Sequence, residues 1–132
     1  MPALLRKFHE ASTTGKDQVT IWGSGTPKRE FLHVHDLAEA CLFLMLTYSE
    51  KSFVNIGTGK DISIKDLALL IKEITGFTGE LTWDATKPDG TPRKLLDVSK
   101  LKDLGWEAKI TLDKGIRETY QEFLKLPLLN KD

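Results

Sequence analysis

Apolar residues recur every three or four positions in several stretches of the chain, and this period predicts amphipathic helices. The first stretch places Leu4, Leu5, Phe8 and Ala11 on one helix face. Capping and stop signals bound the others: a second helix begins at Asp36, a third runs from Ser63 to Gly76, a short one covers 99–104, and the last begins at Thr111. The second helix is expected to bury the stripe Leu37, Ala40, Cys41, Leu44, Met45 and Tyr48.

Runs of β-branched and aromatic residues predict strands between these helices. The runs cover 19–22, 31–34, 52–57 and 80–85, and the run at 52–57 is typical of a buried strand. Glycine and proline predict a turn at 23–27 and a loop at 87–94. Helices and strands therefore alternate, which indicates one small α/β or α+β domain with few strands.

Composition excludes several classes of function. The 132 residues fit one domain, and a hydrophobic fraction of 40% is enough for a small core. Lysine and arginine number 19, as do aspartate and glutamate, so no net charge points to nucleic acid. No apolar run is long enough to cross a bilayer, and the single cysteine excludes an internal disulfide, which fits a reducing cytoplasm. Because a helical pattern begins almost at the first residue, with no capping residue before it, we expect this chain to be a piece of a larger protein.

Two diglycine segments are candidates for phosphate binding. Gly23 and Gly25 follow a predicted strand, as in a dinucleotide fingerprint, but Lys28 replaces the third glycine and no helix follows at once. The segment 55–61 (NIGTGKD) lacks the spacing and the hydroxyl residue of a P-loop. Both pairs therefore predict tight turns rather than cofactor sites.

Basic residues in two proline-stiffened loops are better candidates for binding a diphosphate. Arg29 lies shortly after one proline, and Arg93 and Lys94 directly follow another. A guanidinium binds phosphate oxygens in a bidentate manner, and a lysine adds a point charge. Trp22, at a strand end, can pack on a base or sugar. Surface ion pairs for the arginines and a half-buried core position for Trp22 stay open as alternatives.

The remaining titratable groups favour structural roles. The histidines are two apart at 33 and 35, on one face of a predicted strand, but no third metal ligand accompanies them. Cys41 is expected to be a buried, inert thiol. Asp84 and Asp89 flank the second basic loop, and we expect them to position it rather than to act as an acid–base pair.

The order and spacing of several segments resemble the C-terminal part of bacterial GDP-L-fucose synthases, a branch of the extended short-chain dehydrogenase/reductase family. Residues 22–34 (WGSGTPKREFLHV) and 87–101 (KPDGTPRKLLDVSKL) are specific to this branch, whereas REFLHVHDLA and NIGTG occur across the wider family. The resemblance covers nearly the whole chain, through the segments 19–40, 54–59, 84–106 and 111–124.

The resemblance implies a two-part enzyme. An N-terminal Rossmann domain binds NADP(H) and carries the catalytic residues of reduction and epimerisation, and we expect it to be absent from this chain. Residues 1–132 match the smaller C-terminal domain, which binds GDP-4-keto-6-deoxy-D-mannose and GDP-L-fucose. The whole enzyme is implied to be a cytoplasmic homodimer without nucleic-acid or membrane partners. Catalytic, cofactor-binding and metal residues are therefore not predicted on this chain, since Cys41 and the histidines His9, His33 and His35 match no catalytic position.

Substrate contacts are carried over by position. Lys7 stands where the family usually has arginine, so the charge is kept and the bidentate fork is lost. Of the basic pair at 93 and 94, the lysine is the stronger candidate for a phosphate contact. The implied substrate-binding residues are Leu4, Lys7, Trp22, Arg29, Arg93 and Lys94.

The run 53–57 adds a strand to the Rossmann sheet in the family, so by itself it would present an unpaired edge.

Alternative functions remain open from the residues. One is a portion of another nucleotide-sugar epimerase, dehydratase or reductase. The other is a non-catalytic module, either a nucleotide-sugar-binding protein or a structural domain whose basic loops only face solvent.

We predict that the pure 132-residue chain has no NADPH-dependent reductase activity. Neither tyrosine is followed by a lysine four residues later, and no complete glycine-rich cofactor turn is present. Oxidation of NADPH followed at its absorbance band, with GDP-4-keto-6-deoxy-D-mannose as substrate, checks this. Turnover above that of a buffer control would contradict it.

Overall fold

The structure, a computed structural model, describes residues 1–126. Within them the helices are α1 Pro2–Thr13, α2 Val34–Thr47, α3 Ile64–Thr75, α4 Ser99–Asp103 and α5 Leu112–Leu124. The strands are β1 Gln18–Trp22, β2 Lys28–Glu30, β3 Asp61–Ser63, β4 Glu80–Asp84 and β5 Arg93–Lys94. The predicted α/β class is confirmed.

The larger core lies between the parallel pair β1–β4 and the helices α1, α3 and α5. Strand alternation turns Val19 and Ile21 of β1 towards the helices, and register places them opposite Leu81 and Trp83 of β4. The helical spacing seen in the sequence supplies the opposing apolar face. The fully or nearly buried helix residues are Leu5, Phe8, Ala11, Leu67, Ala68, Ile71 and Ile116.

Local capping chemistry sets the bounds of α3 as the sequence predicts. The Asp66 amide donates to Ser63 Oγ at 3.0 Å, and Ser63 Oγ donates to Asp66 Oδ2 at 2.6 Å. Gly76 ends the helix in the left-handed region, with φ of 69°. Thr111 likewise caps α5, since its side chain accepts a bond from the Lys114 amide. These predictions are confirmed because each depends on neighbours in sequence.

A second, three-stranded sheet has β2 at its centre, antiparallel to β3 and parallel to β5. The strand predicted at 31–34 is wrong: β2 lies three residues earlier, and residue 34 already belongs to α2. Part of the loop predicted at 87–94 is also strand β5. The charged sequence of β2 has low strand propensity, so its conformation depends on pairing with two neighbours.

Helix α2 is capped by His33 rather than by Asp36, because His33 Nδ1 accepts a bond from the His35 amide. Asp36 is buried instead, and its Oδ2 accepts bonds from the amides of Lys109 and Ile110 at 3.1 and 2.9 Å. The carboxylate therefore joins α2 to the segment that leads into α5. The predicted cap at Asp36 is wrong because a distant backbone segment competes for its side chain.

Half of the predicted apolar stripe of α2 is exposed, and only one of its six residues is fully buried. Ala40 is buried in a second, smaller core with Leu101 and Trp106, but Met45 is 81% exposed, and Leu37 is exposed as well. Cys41 is also exposed, so the expectation of a buried thiol is wrong. Helix α2 thus presents apolar side chains that residues 1–126 leave uncovered.

The run 52–57 forms no strand among the described residues. Phe53 is 84% exposed, although Val54 and Ile56 pack against the smaller core. A strand requires a hydrogen-bonding partner, and no described segment pairs with this one. The buried strand predicted here is therefore wrong within this chain.

We predict that Asp36→Ala destabilises the fold by about 2–3 kcal/mol, because two backbone amides lose their buried carboxylate acceptor. Urea unfolding followed by circular dichroism measures the change. The control is Glu39→Ala on the same helix, whose exposed carboxylate also contacts Lys109. Its loss is expected to cost less than about 1 kcal/mol, and equal losses in both variants would contradict the role of Asp36.

Candidate functional site

The turn after β1 is filled by side chains of its own domain. Gly23 and Gly25 have positive φ values of 82° and 78°. A Cβ at Gly25 would lie 2.6 Å from the ring of Trp83, and one at Gly23 would lie 2.3 Å from Asp89 Oδ1. An indole and a carboxylate occupy the space a pyrophosphate would need. The turn therefore does not fit a dinucleotide, in agreement with the predicted tight turn.

The second diglycine segment is closed by Glu30, which the sequence analysis missed. Glu30 Oε1 accepts bonds from the amides of Thr58 and Gly59, at 2.5 and 2.7 Å. Its Oε2 accepts a bond from the Leu96 amide at 2.9 Å. Amides that would bind a phosphate in a P-loop here bind an internal carboxylate. The sequence shows a glutamate within a short charged segment, but only the fold brings the amides of Thr58 and Leu96 to its carboxylate.

Asp89 joins the turn 23–27 to the loop that follows β4. Its two oxygens accept bonds from the Ser24 amide at 2.9 Å and from Ser24 Oγ at 2.6 Å. The Ser24 hydroxyl, followed by its amide, holds the pKa of Asp89 below its ordinary value. Asp84 accepts a bond from the Thr86 amide at 3.1 Å within the same loop. Both carboxylates bind and position loops, as predicted.

Trp22 is exposed at the end of β1. Its exposed fraction of 69% excludes the half-buried core position considered from the sequence. Lys87 Nζ lies 5.6 Å from the centre of its ring, within the range of a cation–π contact. Trp22 thus presents an aromatic face and a neighbouring cation to solvent.

The basic residues of β2 and β5 form two register pairs, and the two pairs lie on opposite faces of one sheet. Arg29 is the register partner of Lys94, so their side chains leave the same face. Arg93 pairs with Lys28 on the other face and forms an ion pair with Asp61. The structure therefore brings Arg29 and Lys94 together and separates Arg93 from them.

The two residues predicted on α1 lie beside β1. Lys7 Nζ donates to the Thr20 carbonyl oxygen, two residues before Trp22. Leu4 is half-buried against the larger core. Lys7 of α1 thus contacts the strand that ends at Trp22, whereas Leu4 contributes to packing.

The histidines have structural surroundings. His9 Nδ1 lies 3.0 Å from the Tyr120 hydroxyl. His33 and His35 do not share a strand face, since they lie at the start of α2, with ring centres 4.9 Å apart. In the described part of the chain no three metal-ligating groups cluster. No helix within residues 1–126 has the length and apolarity needed to span a bilayer.

We predict that the Asp89 carboxyl titrates below pH 3.8, its ordinary pKa. A lowered folded-state pKa means that Asp89 contributes stability above pH 3.8, which is lost as the pH falls through the folded value. Titration of the side-chain carboxyl carbon by NMR measures the midpoint. In the control Ser24→Ala the midpoint should rise towards 3.8, because the hydroxyl donor is removed. A wild-type midpoint at or above 3.8 would contradict the bond.

Comparisons with known proteins agree with the resemblance at a coarse level. Residues 1–57 match the NAD dependent epimerase/dehydratase family. The chain is 58% identical over 125 residues to a putative GDP-L-fucose synthase 2 of Arabidopsis thaliana, covering 95% of this chain and 38% of the relative. It is 48% identical to a GDP-L-fucose synthase of Escherichia coli, covering 95% of this chain and 42% of that protein. The restriction to bacterial proteins is not confirmed, since the plant relative is the more similar of these two.

A solved structure shares the fold. The GDP-L-fucose synthetase of Naegleria fowleri, determined with NADP bound, is 30% identical, with a TM-score of 0.87. The match covers 94% of this chain and 39% of that structure. This chain therefore spans about two fifths of the length of these relatives. Its fold is that of part of an extended short-chain dehydrogenase/reductase.

Proposed function

We propose that this chain is the GDP-sugar-binding part of a GDP-L-fucose synthase. The whole enzyme would convert GDP-4-keto-6-deoxy-D-mannose to GDP-L-fucose by 3,5-epimerisation and NADPH-dependent reduction at C4. In this proposal an N-terminal Rossmann domain supplies the NADP(H) site and the catalytic residues, and the whole enzyme is a cytoplasmic homodimer. The similarity to GDP-L-fucose synthases of a plant and a bacterium supports the assignment of substrate.

One observation carries the proposed binding role: Arg29 and Lys94 are register partners on one face of the β3–β2–β5 sheet. A guanidinium and an ammonium side by side suit the two phosphates of a nucleoside diphosphate. Neither cation has a carboxylate within ion-pair distance among residues 1–126. By contrast, Arg93 is already paired with Asp61. The proposed diphosphate contact therefore depends on Arg29 and Lys94, whereas Arg93 lies on the opposite face of the sheet.

The remaining predicted contacts extend this surface along β1. The exposed ring of Trp22 can stack on a base or a sugar, and the cation Lys87 beside it favours an anionic ligand. Lys7 of α1 adds charge beside Thr20, which lies two residues before Trp22 on β1. Leu4 would contribute apolar contact from α1. We propose that Trp22 and Lys7 contact the nucleotide or sugar while the basic pair holds the diphosphate.

Holding the diphosphate serves the proposed chemistry. The 4-ketone acidifies the carbons at C3 and C5, so a positioned acid–base pair can invert both through enolate-like states. Reduction then follows at C4 of the same sugar. A diphosphate contact that holds the nucleotide in place through both stages lowers the entropic cost of each. The described residues of this chain thus contribute binding and orientation, and bond-making groups are assigned to the other domain.

An uncovered apolar surface supports a further domain in the whole protein. It comprises exposed side chains of α2 and of the segment after it: Val34, Leu37, Leu42, Met45, Leu46 and Phe53. Several large apolar side chains exposed on one helix and on the segment after it indicate an interface. We propose that the NADP-binding domain packs here and provides the strand partner that the run 52–57 lacks.

We predict that the chain binds GDP weakly and that Arg29→Ala and Lys94→Ala each lower the affinity by about tenfold, because each removes a charge-assisted bond to phosphate. Isothermal titration calorimetry measures the three affinities. The control is Lys16→Ala, which removes an exposed lysine in the loop after α1 and should leave the affinity for GDP unchanged. Equal GDP affinity in wild type and both variants would overturn the proposed diphosphate contact.

The choice of nucleotide separates the open alternatives. A portion of a GDP-sugar enzyme should prefer GDP over UDP and dTDP in the same calorimetric titration. Preference for UDP or dTDP would favour another nucleotide-sugar enzyme. Absence of binding to all three would favour a structural module whose basic loops face solvent.

A further inference from the structure

Asp84 has a free carboxylate oxygen on the sheet face that carries the exposed Trp22. The two residues are register partners at the ends of β4 and β1, so their side chains leave the same face. Asp84 Oδ1 accepts bonds from the amide of Thr86, at 3.1 Å, and from its hydroxyl, and these bonds fix the orientation of the carboxylate. Within residues 1–126, Oδ2 accepts no hydrogen bond and takes part in no ion pair. Oδ2 is therefore available to a ligand that reaches Trp22.

The loop that begins after Asp84 also borders the proposed diphosphate contact. A Cβ at Gly90 would lie 3.2 Å from Arg29 Nη2, so the backbone of this loop runs against the guanidinium. Arg29 is in turn the register partner of Lys94. One short loop thus borders both the ring of Trp22 and the basic pair.

The charges at the two ends of this loop give a bound nucleotide one direction. The carboxylate of Asp84 repels phosphate, whereas the side chains of Arg29 and Lys94 attract it. A nucleoside diphosphate would therefore place its phosphates at the basic pair and its base at Trp22 and Asp84.

A free carboxylate oxygen selects a base by the donors that the base presents. The Watson–Crick edge of guanine has two adjacent donors, N1–H and the exocyclic 2-amino group. Adenine presents the lone pair of N1 at that place, and uracil and thymine present one N3–H between two carbonyl oxygens. Proteins read unpaired bases by stacking on aromatic rings and by hydrogen bonds to this edge. An acceptor beside an aromatic ring thus favours guanine.

We propose that Asp84 selects guanine and that Trp22 stacks on the same base. Oδ2 accepts the hydrogen bonds of the 2-amino group and of N1–H, while Oδ1 remains bound to Thr86. This role rests on the proposed binding of a GDP-sugar and adds to it the group that reads the base. Because Thr86 already holds the carboxylate in place, little affinity is lost to ordering it.

Isothermal titration calorimetry of the full chain with GDP, IDP and ADP tests the selection. All three ligands carry a purine and a diphosphate, but IDP lacks the 2-amino group, and N1 of ADP is an acceptor. We expect GDP to bind about threefold more tightly than IDP and about tenfold more tightly than ADP. In Asp84→Asn the carbonyl oxygen still accepts from Thr86, but a donor NH₂ replaces Oδ2. Both preferences for GDP should then fall to about one or below.

Ratios of affinity separate base selection from general effects of charge and folding. Asp103→Asn, the same change at an exposed aspartate of α4, should leave both ratios unchanged. Arg29→Ala should weaken all three nucleotides alike, since each carries the diphosphate. Equal wild-type affinities for GDP, IDP and ADP would overturn the role of Asp84, and so would unchanged ratios in Asp84→Asn.

Nucleosides, which carry no phosphate, distinguish failure of this role from failure of the diphosphate contact. Trp22→Phe identifies the indole N–H signal of Trp22 among the three tryptophans in an NMR spectrum. Guanosine should shift that signal at lower concentration than inosine does. If this difference holds while Arg29→Ala leaves GDP affinity unchanged, the diphosphate contact fails and base selection stands. If no nucleoside or nucleotide shifts the signal, both are overturned.

Discussion

The carboxylate of Glu30 is the interaction on which the arrangement of the basic loops depends. From the central strand β2 it accepts the amides of Thr58 and Gly59 and, through its second oxygen, the amide of Leu96. Charge-assisted bonds of this kind are about twice as strong as neutral ones. They anchor segments far apart in sequence to the strand that carries Arg29. The position of β5, and hence of Lys94, follows from this anchoring.

Internal carboxylates also lie against the two glycine turns that resemble phosphate-binding loops. Asp89 lies against Gly23, and Glu30 lies against Gly57. A negative charge at each turn repels a phosphate, while the nearby cations Arg29 and Lys94 remain available on the sheet face. The chain thus separates the turns that build the domain from the side chains proposed to hold a ligand.

The sheet face, the exposed Trp22 and the uncovered surface of α2 are consistent with a domain that works beside another one. Two small cores hold the described residues together, one around β1–β4 and one around Ala40, Leu101 and Trp106. Helix α2 contributes one fully buried hydrophobic residue to the second core and exposes Met45 and Leu46. An apolar helix with little internal burial gains stability from a partner surface, because burial of its side chains would contribute about 25 cal/mol per Å².

The sequence by itself determined the elements that depend on neighbouring residues: α1 and α3 with their apolar faces, the Ser63 cap, the Gly76 stop and the strands β1 and β4. It also identified the basic residues of both loops, because proline, glycine and charge are visible without a fold. Tertiary structure alone decided that Asp36 binds the distant amides of Lys109 and Ile110, that β2 forms at a charged tripeptide, and that Arg29 meets Lys94 while Arg93 turns away. These outcomes depend on pairing and on competition for buried hydrogen bonds between segments remote in sequence, which a local pattern does not contain.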